Sequence, residues 1–169
     1  MYVEKTKLSS LRKYLLPLTL ILLIATIVPL TISTALTQST PSNKEIIAFK
    51  WLRDNSPQDA GVLSTLEEGH LVTYYSQRRN LMDDQFTLIN NIETRFNDLN
   101  NAYTTPFQTQ ALSVFDKYNI QYLVLTPTAQ LKYDLHDFNY LGEGCFKKQY
   151  DEETKIYHVE CALTSPLGK

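Results

Sequence analysis

Chemistry is most concentrated between Ser64 and Tyr75, where the chain reads STLEEGHLVTYY. Glu67, Glu68, Gly69 and His70 follow one another directly, and a second acidic pair, Asp83 and Asp84, comes soon after in RNLMDDQF. Carboxylate oxygens, with or without an imidazole, are what hard cations such as calcium, magnesium and manganese accept. Glu67, Glu68, His70, Asp83 and Asp84 are therefore the candidate metal ligands; no cofactor is predicted, and a divalent cation is the one these residues could take. The same residues also have a plain structural use. Acids in the first turn of a helix face its free N–H groups and positive dipole end, and an aspartate is a good N-cap. Other chemistry has less to work with. The chain has no GxSxG, no Cys/His motif and no glycine-rich phosphate loop, so no catalytic residue is assigned. Arg78-Arg79 can bind a phosphate or pair with Asp83 or Asp84. The eleven tyrosines can line a sugar-binding face or serve as half-buried strand and helix residues.

Whether the acids meet depends on the elements that carry them. Asp59 to Thr65 reads as a short buried strand, Glu68 to Gln77 as a short helix, and Arg79 to Met82 as a second strand. That order predicts a βαβ unit with parallel strands and a right-handed crossover. In an open α/β sheet, ligands bind beyond the carboxyl ends of such strands, which is where Glu67, Glu68, Asp83 and Asp84 would fall. Thr126 ends the clearest strand of the chain, Gln121 to Thr126, on the same edge.

Around this unit, Ser42 and Glu45 form a capping-box pattern that opens a helix, which must stop before Pro57. Trp51, the only tryptophan, is assigned to packing. Residues 85–105 read as helical with breaks. A better helix runs over 106–118, with Thr105 as cap and proline in its first turn. Residues 128–135 suggest one more short helix. Cys145 and Cys161 flank a segment that reads as a hairpin turning near Glu153. The two cysteines are equidistant from that residue, which predicts that they face each other and form a disulfide.

Tyr14 to Leu36 is a stretch of 23 residues without a charge. About 20 apolar residues suffice for a membrane-spanning helix, and a signal-peptide core needs only about 7–15. The length favours an uncleaved anchor, with a cleaved signal peptide ending near Ser33-Thr34-Ala35 as the competing reading. Lys5, Lys7, Arg12 and Lys13 precede the span against the single acid Glu4, which predicts a cytoplasmic N-terminus. The exported remainder holds 12 basic and 17 acidic residues, a formal charge of −5. An acidic domain is a poor partner for nucleic acid, which is excluded.

The run AFKWLRDNSPQDAGVLSTLEEGHLVTYYSQRRNLMDD, from Ala48 to Asp84, resembles the stretch after the last transmembrane helix in multispan membrane glycosyltransferases of the GT-C type. It is most similar to archaeal oligosaccharyltransferase catalytic subunits. In that family a helix ending in tryptophan and an N-x-P-like turn leads through a strand to W-W-D-Y-G, which falls here on Thr65-Leu66-Glu67-Glu68-Gly69. KYNIQYLVLTP, from Lys117 to Pro127, is similar to the family's strand ahead of its last elements. The resemblance spans Asn43 to Thr126. The tryptophans and aspartate that the family uses to grip its acceptor are Thr65, Leu66 and Glu67 here, and only Gly69 matches. The multispan region that holds the family's metal and lipid-linked donor has no counterpart.

The expected protein is thus a cytoplasmic basic arm (1–13), a single transmembrane signal-anchor (14–36), a linker (37–41) and an extracytoplasmic α/β domain (42–169). The domain should be a small three-layer fold with a mainly parallel sheet and a C-terminal antiparallel hairpin. Its expected role is interaction with a multispan membrane glycosyltransferase or another cell-envelope assembly, without catalysis of its own. The alternative is a metal- or carbohydrate-binding domain, or an envelope-glycan enzyme, that uses the acidic strand-end residues.

Overall fold

The structure is a computed structural model that describes Leu15 and residues 17–26, 41–86, 90–142 and 144–163. The chain divides into two compact units, Met1–Pro41 and Ser42–Lys169. In the first, Leu15 and residues 17–26 are helical, and the Thr26 hydroxyl donates back to the carbonyls of Leu22 and Leu23. Among the described residues no helix is long and apolar enough to cross a membrane. The rest of the predicted span (14, 16 and 27–36), the basic arm and the cleavage-like Ser33-Thr34-Ala35 lie outside the described residues.

The second unit opens with helix α1, Asn43–Asn55. Ser42 Oγ accepts from the Glu45 N–H at 3.1 Å while the Glu45 carboxylate accepts from the Ser42 N–H at 2.7 Å, so the predicted capping box is closed in both directions. The helix ends at Ser56, whose extended backbone is what the following Pro57 demands. Strand β1 (Gly61–Leu63) follows, then a single helical turn α2 (Gly69–Leu71) that runs on into a π-helical turn, Val72–Ser76. Strand β2 is only Arg79–Asn80. Helices α3 (Ile92–Thr104) and α4 (Gln108–Tyr118) lead to β3 (Ile120–Leu125), then α5 (Pro127–Tyr133) and the hairpin β4 (Phe146–Asp151) and β5 (Lys155–Val159).

The five strands form one sheet in the order β2-β1-β3-β5-β4. Parallel pairing is confined to β2-β1 and β1-β3; β3-β5 and β5-β4 are antiparallel. The sheet is mixed rather than mainly parallel, because β5 returns against β3 through a hairpin and not a crossover. Alternation along β3 makes the layers. Leu123 and Leu125 face a core shared with Leu99, Tyr103, Leu112 and Phe115 from α3 and α4. Tyr122 and Val124 face the other way, onto Phe49 and Leu52 of α1 and Val72 of the π-helical turn. Helices on both faces of a sheet are the expected three layers.

Two local expectations are corrected. Thr105 does not cap α4. Its hydroxyl accepts from the Phe107 N–H and donates to Gln110, and the helix starts only at Gln108. The residues 106–107 instead make a turn held by that threonine. In the hairpin, a register shift between Lys148 and Tyr150 puts Glu160, not Cys161, beside Cys145, whose carbonyl accepts from the Glu160 N–H at 2.8 Å. One extra residue in β4 makes the cysteine pair diagonal. The disulfide Cys145–Cys161 forms nonetheless, across a Cα–Cα distance of 4.9 Å.

Closing a loop of sequence separation 16 should stabilise the fold by about 3 kcal/mol. The double substitution Cys145→Ala/Cys161→Ala is therefore expected to lower the urea midpoint and to steepen the transition, because the unfolded chain without its crosslink exposes more surface, as read by tyrosine fluorescence.

Candidate functional site

At the carboxyl ends of β1 and β3 sits one buried carboxylate. Glu68, 5% exposed, accepts a hydrogen bond from Thr65 Oγ1 at 2.8 Å on one oxygen and from Thr126 Oγ1 on the other. Thr65 lies two residues past β1, and Thr126 is the residue after β3; both are fully buried. Thr126 Oγ1 in turn accepts from the Ala129 N–H at 3.0 Å, so the same hydroxyl caps α5. Glu68 thereby ties two strand ends and the start of a helix. Beneath them, buried Tyr103 donates to the Val124 carbonyl at 3.0 Å and stacks on Tyr133 with ring centres 4.5 Å apart.

Burial pushes the Glu68 carboxyl above its ordinary pKa. The Thr126 and Thr65 hydroxyls pull it down, and the charges of Glu45 and Glu67 push it up again; the upward causes win. Tyr103 is raised by burial and then by the Glu68 charge. Tyr133 is pushed up to about 12 by burial and then by Glu67 and Glu68. The neighbouring Glu67 is exposed and behaves oppositely. Its partial burial works against ionisation, but Lys132 Nζ reaches both its oxygens, at 2.7 and 2.9 Å, and its pKa ends below the usual value.

The remaining candidate ligands do not join this group. His70 Nδ1 lies 3.8 Å from an Asp84 oxygen, with both side chains exposed. Asp83 Oδ1 accepts from the Gln85 N–H at 3.0 Å, a local turn. Among the described residues, no three His, Cys, Asp or Glu side chains are placed to hold a metal ion. The reason lies at Gly69. A Cβ there would stand 2.3 Å from the Met82 carbonyl oxygen and 2.8 Å from Asp83 Cα, so the two loops meet through backbone at Gly69 while the carboxylates turn to separate partners.

Arg78, read as a phosphate ligand or ion-pair partner, is buried and is spent on structure. Its guanidinium donates to Ser56 Oγ and to the carbonyls of Arg53, Ser56, Ser76 and Gln77, which close the last turns of α1 and of the π-helical turn. Thr65, to which sequence reasoning gave no role of its own, had one signal that could have found it. The pattern of two buried strands each ending in threonine, Leu63-Ser64-Thr65 and Leu125-Thr126, marks both strand ends.

No family model and no curated protein matches the chain. Among solved structures, the chain is similar to the crystal structure of the C-terminal globular domain of the oligosaccharyltransferase AglB from Archaeoglobus fulgidus. The identity is 16% and the TM-score 0.55, over 72% of this chain and the whole of that domain. Archaeoglobus fulgidus AglB in complex with an inhibitory peptide and a dolichol-phosphate also matches, at 19% identity and a TM-score of 0.45, over 66% of this chain and 16% of that one. The chain thus has the fold of the AglB globular domain, as the resemblance in the sequence implied.

A glutamate whose pKa is raised on folding makes the native state hold a proton that the unfolded chain has released. Its contribution is greatest below the unfolded value and is lost as pH rises through the folded value. From the ordinary glutamate value of 4.5 upward, the stability of the native chain should therefore fall relative to Glu68→Gln. Denaturation of both proteins across that window, with a flatter profile for the variant, checks the assignment.

Proposed function

We propose that this chain is a single-pass membrane protein, anchored through Tyr14 to Leu36 with its N-terminus in the cytoplasm. It displays an extracytoplasmic domain of the AglB globular fold and has no catalytic activity of its own. The domain acts by interaction with a multispan membrane glycosyltransferase or another cell-envelope assembly. The observation that carries this reading is the strand-end network. At the position where the resembled family keeps its acceptor-gripping residues, this chain has Thr65, Leu66, Glu67, Glu68 and Gly69, and Glu68 is turned inward onto two threonines. A carboxylate whose oxygens are both taken by buried hydroxyls is placed to hold a fold rather than a substrate.

The anchor rests on the uncharged length of 14–36 and the basic arm before it. Export is also consistent with the Cys145–Cys161 disulfide, since such bonds persist in oxidising compartments. A scaffold of this fold beside a membrane-embedded enzyme, whose known globular domain shares the same architecture, would present a docking surface on the side of the membrane where glycans are handled.

Copurification of the tagged full-length protein from native membranes in a mild detergent, followed by mass spectrometry, tests the reading. A stoichiometric multispan glycosyltransferase or envelope component is the expected result. Recovery of the protein with neither, from membranes where those components are abundant, contradicts it.

A further inference from the structure

Away from the Glu68 network, a cleft of about 880 Å³ lies along the short edge strand β2. It is lined by Arg78, Arg79, Arg95 and Lys117 against one acid, Asp83, on an exported domain whose formal charge is −5. Arg78 is engaged in the contacts already described, and the two other arginines are held by neutral groups. Arg79 uses Nε and Nη2 on the Asp59 carbonyl, at 3.2 and 2.8 Å, leaving Nη1 free of that contact. Arg95 donates one nitrogen to the Leu81 carbonyl at 3.3 Å and sits 5.5 Å from the centre of the Tyr118 ring. Neither arginine makes an ion pair with a described residue. Lys117 pairs with Asp98 at 2.7 Å and also approaches the Tyr118 ring. Arginines docked on neutral carbonyls are what an oxyanion uses, and a guanidinium fork matches phosphate geometry.

The cleft does not end at the cations. Thr73, Gln77 and Asp83 also line a second, adjoining cleft of about 460 Å³, whose other walls include His70 and Tyr74. Tyr74 is 76% exposed and stands edge-on to Tyr75, with ring centres 4.9 Å apart. An exposed ring that a neighbouring ring holds in place, beside Gln77, Asp83 and His70, offers an apolar plate with hydrogen-bonding groups at its margin. Cations at one end and a tyrosine plate at the other suit a polyhydroxylated ring that carries one oxyanion.

We propose that this trench binds a phosphorylated sugar, with the phosphate at Arg79, Arg95 and Lys117 and the sugar ring on Tyr74. The assignment does not depend on the proposed partner of the domain.

Calorimetric titration of the full-length chain in neutral detergent micelles, with inorganic phosphate, glucose 6-phosphate and glucose, tests it. Glucose 6-phosphate should bind about three- to tenfold more tightly than phosphate, with glucose weakest. Arg95→Gln should weaken both phosphates by about tenfold or more, through loss of a charge-assisted contact. Lys117→Gln, at an exposed side chain, should weaken them in the same direction. Tyr74→Ala should remove the advantage of the sugar ester and leave inorganic phosphate unchanged. Absence of saturable phosphate binding up to about 10 mM overturns the site. So does unchanged binding in both charge variants, and equal affinity for the two phosphates overturns the sugar assignment.

Discussion

The strand-end carboxylate of Glu68 is the constraint around which the domain is arranged. A glutamate taken out of water is costly unless its oxygens are satisfied, and hydrogen bonds to a charged group are each worth about 1.5–3 kcal/mol. Thr65 and Thr126 supply those bonds from the ends of β1 and β3. The consequence is geometric. The two strands must end level with each other, the turn before α2 must double back over them, and α5 must start where its capping threonine is already engaged. Gly69 follows because the chain after Glu68 passes so close to Met82 and Asp83 that no side chain fits. Between β1 and β3, the edge on which α/β sheets usually receive ligands is taken up by the residues that hold it together.

Arg78 plays the matching part where α1 and the π-helical turn both end. Those two segments present free carbonyls at adjoining positions, and one buried guanidinium takes them up. It has no carboxylate partner among the described residues; the negative ends of the two helical segments supply the compensating field. With Glu68 fastening the parallel half of the sheet and the Cys145–Cys161 bond fastening the hairpin half, the β2 edge is left lined by arginine and lysine side chains. That distribution explains how an acidic domain comes to carry a basic cleft.

The sequence revealed some of this and hid the rest for identifiable reasons. The capping box at Ser42 and Glu45, the apolar alternation of β3 and the cysteine-flanked hairpin were legible because each depends on residues close together in the chain. The strand order, with β5 inserted between β3 and β4, was not, because it is set by long-range pairing that no local period reports. The single-residue bulge in β4 escaped the symmetric spacing of the cysteines around Glu153 for the same reason. At the site, the clustering of Glu67, Glu68 and His70 suggested convergence, but neighbours in a helical turn point to different sides. Glu68 went inward, Glu67 went to Lys132 and His70 went to Asp84. What decided their fates was the pair of threonines, whose roles emerge only when β1 and β3 are seen side by side.

The domain depends on Glu68 as a buried, internally bonded strut. Carbon-13 NMR titration of its side-chain carboxyl, in the full-length chain in detergent micelles, tests this most directly. The expected midpoint lies above the ordinary glutamate value of 4.5 and is unmoved by magnesium, calcium or manganese. A midpoint at or below that value, or a resonance that shifts when a divalent cation is added, would mean an open, ligand-seeking carboxylate and would contradict it.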